Sequence, residues 1–129
     1  MTWVDLLNNA RGMYAIFRDD VPSLQAVTIH SVGMHRDGPT LKLVFDLPDF
    51  PTDPPKKWRG YKVIRIELWF TGVNSAVIAL DTVTKLVDLN ISRVIANNQE
   101  SIRLVATLAN TIKIETVASG AQLQRISAY

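Results

Sequence analysis

The sequence predicts an α+β fold that is predominantly antiparallel β, with one or two short N-terminal helices packed on a curved meander sheet of about eight strands. Three observations lead there. Apolar residues recur at helical spacing only in the first twenty positions. From Leu24 onward alternate positions are apolar, and turn residues interrupt that alternation about every ten positions. The 129 residues support one domain, with a helical segment at 1–20, a sheet over 24–129 and a proline-rich loop at 48–60.

The first helix rests on Trp3, Leu6, Leu7 and Ala10, with Thr2 as N-cap and Asp5 placed to complete a capping box. Asn8, Asn9 and Gly12 read as its stop. A second short turn holds Met13, Ile16 and Phe17, until Asp19-Asp20 and Pro22 end it. These segments are expected to form a lid over one end or face of the sheet.

The first strand carries Val27, Ile29 and Ser31 on one side and ends at the hairpin turn Asp37-Gly38. Its return strand points Leu41, Leu43, Phe45 and Leu47 one way, and the next aligns Ile64, Ile66, Leu68 and Phe70. Gly72 and Asn74-Ser75 read as a turn into a short strand, Ala76 to Leu80. Strands through Leu89 and Ile91, Leu104 and Ala106, Ile112 and Ile114, and Leu123 to Tyr129 follow. Asn97-Asn98, Asn110 and Ser119-Gly120 read as the breaks between them. Strands joined by short turns are expected to lie side by side, in a strongly curved sheet.

Composition removes several function classes. At 47% hydrophobic the chain can bury a core, so disorder is excluded, and the absence of cysteine removes disulfides, thiol nucleophiles and thiolate metal sites. A net charge of +2 is too small for a dedicated nucleic-acid binder. The longest wholly apolar run, Ala76 to Leu80, is far short of a membrane span. Asp5 and Arg11 interrupt the apolar N-terminus, which argues against a secretory signal, and the cytoplasm is the expected location.

No catalytic pattern is recognisable. His30 and His35 are placed for opposite sides of one strand, so no metal is expected, and there is no nucleophile elbow, phosphate-binding loop or dinucleotide fingerprint that would call for a cofactor. Asp46, Asp49 and Asp53 gather in or beside the proline-rich loop, without polar groups to position a substrate.

The charge distribution says more than its total. Residues 43–54 hold three acids and no base, whereas 56–65 hold five bases and no acid: Lys56, Lys57, Arg59, Lys62 and Arg65, interleaved with Trp58 and Tyr61. A basic stretch with interleaved aromatics can bind single-stranded nucleic acid. The blander reading, which is preferred, has the acids and bases face each other across the loop or simply solvate it. Between the two lies a surface that offers a protein partner an electrical dipole. Four prolines in thirteen residues lower the entropy of the free loop, so its surface is held ready. Phe50 and Trp58 are candidate anchors for a partner; alternatively both tuck under the loop and close the sheet. The candidate partner-binding residues are thus Asp46, Asp49, Phe50, Asp53, Lys56, Lys57, Trp58, Arg59 and Tyr61.

The order of motifs resembles the bacterial immunity protein 50 family. Asp37-Gly38-Pro39 is followed by Leu43-Val44-Phe45-Asp46-Leu47-Pro48, then by Asp53-Pro54-Pro55-Lys56-Lys57-Trp58 and Ile66-Glu67-Leu68-Trp69-Phe70-Thr71-Gly72-Val73. Trp3-Val4-Asp5-Leu6-Leu7 and Ile126-Ser127-Ala128-Tyr129 extend the resemblance over nearly the whole chain. One departure stands out. Where the family's Gly-Trp-Gly-like element would follow the Gly-Val strand, this chain reads Ala79-Leu80-Asp81, while Asp88-Leu89 matches the later Asp-Ile pair. That change alters either packing or the choice of partner.

The resemblance implies an immunity protein of a polymorphic toxin system, which binds a cognate toxin and blocks it without turnover. Neither nucleic acid nor a membrane is expected as a partner, and monomer and homodimer are both left open. Two other classes fit the sequence. A small-ligand-binding β-barrel requires an open cavity of several hundred cubic ångströms. An enzyme would need Asp46, Asp49 or Asp53 brought together in a cleft.

Overall fold

The computed structural model describes residues 2–81 and 86–129. Among these residues, a 3₁₀ turn at Trp3–Leu6 and helix α1 at Arg11–Phe17 are followed by six strands: β1 (Val27–His35), β2 (Thr40–Asp46), β3 (Ile64–Ile78), β4 (Leu86–Ala96), β5 (Gln99–Leu108) and β6 (Thr111–Ala128). All pairings are antiparallel, and the strands close into a barrel in the order β1-β2-β3-β6-β5-β4.

The strand count corrects the sequence reading in two places. The residues from Ile64 to Ile78 form one strand, not two, and so do those from Thr111 to Ala128. Gly72 and Ser119-Gly120 have the chemistry of turns but serve as the bend where both long strands pass from one sheet to the other. Gly72 has φ +63°, and a Cβ there would stand 2.6 Å from Ser119 Oγ. The bend also carries a register shift between Val73 and Ser75, and the buried Thr116 hydroxyl donates to the Ser75 carbonyl there, at 2.6 Å.

The meander is corrected as well. β3 pairs with β6 rather than with β4, and among the described residues the barrel closes through Val27↔Val87 and Thr28↔Leu86. One sheet thus comprises β1, β2, the first half of β3 and the second half of β6; the other comprises β4, β5 and the remaining halves. Closure removes the edges of a flat sheet, and the two long strands supply the curvature.

The period-two pattern sets the core. Leu41, Leu43, Phe45, Ile64, Ile66, Leu68 and Phe70 are fully buried and meet Leu104, Ala106 and Ile114 from the opposite sheet. The turns Asn97-Asn98 and Ala109-Asn110 have positive φ at both positions, as tight hairpins require.

The N-terminal segment differs from the expectation in detail. Residues Trp3–Leu6 are 3₁₀, with the Thr2 N–H donating to the Asp5 carboxylate at 2.9 Å. Val4 and Leu7 are buried, whereas Trp3 and Leu6 are half-buried. Gly12 lies inside α1, where Met13 and Phe17 are the buried residues. The segment covers the edge of β6 beyond its pairing with β5. The Asn8 N–H donates to the Ala121 carbonyl at 2.8 Å, and the Asn9 side chain bonds both backbone groups of Leu123.

Candidate partner-binding surface

The loop between β2 and β3 is fixed at its base. The Leu47 N–H donates to the Ile64 carbonyl at 2.9 Å, and the N–H groups of Lys62 and Val63 both donate to the Tyr129 carbonyl. A short 3₁₀ turn at Lys56–Trp58 and a positive φ at Gly60 shape the return. Phe50 is half-buried against the core, and Trp58 is 5% exposed within it. Two aromatic pins therefore hold the loop, with its acids before Trp58 and most of its bases around and after it. An ordered loop loses little entropy on binding.

The sequence-derived residues separate into two groups. Asp49, Asp53, Lys56, Lys57, Arg59 and Tyr61 are exposed. Lys57 Nζ lies 5.8 Å from the centroid of the Trp58 ring. Trp58 itself closes the core, so of its two readings the structure places it in the one beneath the loop.

Asp46 stands apart from the other loop acids. Arg65 reaches it with two donors, Nε at 2.8 Å and Nη2 at 3.2 Å, and the Tyr129 hydroxyl donates to it at 2.6 Å. Its side chain is only 14% exposed. Burial works against ionisation, but the hydrogen bonds from Arg65 and Tyr129, with the charges of Arg65 and His30, outweigh it and hold the carboxyl below its ordinary pKa. The hydrogen bond to Asp46 in turn raises the pKa of Arg65 and that of Tyr129. The pairing Asp46↔Arg65 follows from the β2–β3 register.

Asp53 pairs with Arg18, at 3.6 Å, and not with a base of its own loop. The end of α1 is thereby brought to the loop, and two adjoining clefts of about 230 and 250 Å³ lie along that boundary. Asp19 and Asp20 join Asp49 and Asp53 around them. Asp19-Asp20 reads in the sequence as a helix end, and the packing of α1 sets it beside the acids of the loop.

A third cleft, of about 290 Å³, lies on the outer face of the first sheet and is lined by His30, Val44, Arg65, Glu67, Arg125 and Ser127. It holds a serine, a histidine and a carboxylate, but Glu67 accepts a hydrogen bond from Trp69 Nε1 at 2.6 Å, and Lys42 Nζ lies 4.1 Å from the centroid of the Trp69 ring. A catalytic relay needs the serine bonded to the histidine and the histidine to the acid; no such bonds join these three among the described residues. Among the described residues no group of histidines and carboxylates is placed to hold a metal, no buried side-chain nitrogen or oxygen lacks a partner, and no helix is long and apolar enough to cross a membrane.

The family model described as Immunity protein 50 matches residues 9–129. No curated protein and no solved structure matches the chain.

Proposed function

The chain belongs to the immunity protein 50 family, and on that premise we propose that it neutralises a cognate toxin of a bacterial polymorphic toxin system by stoichiometric occlusion. The family match over 9–129 carries this reading. The site acts in the cytoplasm, where the toxin encoded beside the chain would otherwise harm its producer, and performs no chemistry of its own.

The binding surface is the face that bears the proline-rich loop. Asp49, Asp53, Lys56, Lys57, Arg59 and Tyr61 are exposed there on a backbone tied at both ends, and Phe50 offers part of its ring. Asp46 and Trp58 support that face from within. A preformed surface of mixed charge around an aromatic residue suits a tight protein complex.

The test is co-expression with the toxin encoded beside the chain. Growth restored by the intact chain supports the reading; growth arrest that persists at matched expression of both proteins refutes it.

A further inference from the structure

The two clefts where α1 meets the loop have an apolar floor and an acid rim. Phe17, half-buried Phe50 and Pro51 form the floor. Asp19 and Asp20 come from the chain after α1, and Asp49 and Asp53 from the loop; all four are exposed. Arg18 is the one base among the described residues lining these clefts. Its ion pair with Asp53 joins side chains that are 76% and 81% exposed. Such a pair is weak and readily exchanged for another cation.

This arrangement runs against the chain as a whole, whose net charge is +2. We propose that these clefts receive an arginine- or lysine-bearing segment of the toxin, with the carboxylates binding its cations and the apolar floor its side-chain stems. Long basic side chains combine a charged head with an apolar stem, and arginine also stacks on aromatic rings. The floor and the rim match these two parts. The segment displaces Arg18 from Asp53 and pairs with the freed carboxylate. This assignment rests on the neutralisation reading and narrows it to one end of the loop.

The experiment titrates the full chain, by calorimetry at two salt concentrations, with the catalytically inactivated toxin domain encoded beside it. Asp20→Lys/Asp49→Lys/Asp53→Lys is compared with Arg36→Glu/Arg125→Glu, a reversal of two exposed bases outside the loop, each verified by its thermal unfolding midpoint. The acid-reversed variant should bind more weakly by about tenfold or more and lose most of the salt dependence, while the base-reversed variant stays within about twofold of the intact chain. Unchanged affinity in the acid-reversed variant, or equal losses in both, overturns this assignment alone. Failure of the intact chain to bind overturns the neutralisation reading and this assignment with it.

Discussion

The side-chain amide of Asn9 does for Leu123 what a neighbouring strand would do. Its Nδ2 donates to the Leu123 carbonyl and its Oδ1 accepts from the Leu123 N–H, both at 2.7 Å. β6 pairs with β5 only as far as Ala118, so the backbone beyond it needs other partners on that side. Asn9→Ala is expected to lower stability by about 1–3 kcal/mol. Asn9→Asp should also destabilise, because it keeps the acceptor but removes the donor. Urea unfolding midpoints of the two variants measure this.

Asp46 links folding to pH. Its folded-state pKa is lowered, so its contribution to stability is present above the unfolded value of about 3.9 and is lost as pH falls through the folded value. Asp46→Asn removes that contribution, so the variant should be less stable than the intact chain at pH 7 and lose less on acidification. For Tyr129 the sign is opposite. Its folded pKa is raised, so its contribution holds below the unfolded value of about 10 and fades as pH rises through the folded value. Thermal melts between pH 3 and 8, a range set around the carboxylate values, check the acid limb.

The bend at Gly72 is strained by any side chain. Gly72→Ala places a methyl at φ +63° and 2.6 Å from Ser119 Oγ, and should cost more than about 1 kcal/mol. Adding Ser119→Gly removes the contact but not the unfavourable φ, so part of the loss should return. A double-mutant cycle in urea separates the two effects.

Trp58 and Asp53 lie on one loop yet should respond differently. Trp58→Ala empties a buried site and is expected to cost about 3–5 kcal/mol. Asp53→Ala touches only an exposed ion pair and should stay within about 0.5 kcal/mol. A neutralisation defect in the first variant would come through folding, and a defect in the second through contact with the toxin. Unfolding curves measured beside toxin inhibition distinguish the two.

The strand faces were legible because side chains alternate: the pattern from Leu41 to Leu47 and from Ile64 to Phe70 is the core as built. The number of strands was not. Gly72 and Ser119-Gly120 satisfy the local chemistry of a turn and of a bend alike, and only the neighbouring strands decide between them. The β3–β6 pairing is a non-local choice with no local signature. The loop was marked by its prolines and charges, but its division was hidden. Asp46 is held by Tyr129, 83 residues away, and Asp19-Asp20 meet the loop only once α1 has packed. Burial of Trp58 and its use as an exposed anchor fitted the sequence equally well.

The proposed neutralisation by occupancy is read from residual toxin activity as the chain is titrated into a fixed amount of the active toxin encoded beside it. Occupancy predicts a straight decline to zero, ending at a fixed equivalence near one chain per toxin and independent of incubation time. Inactivation by a small fraction of an equivalent that deepens with time, or undiminished activity at excess chain, would contradict it.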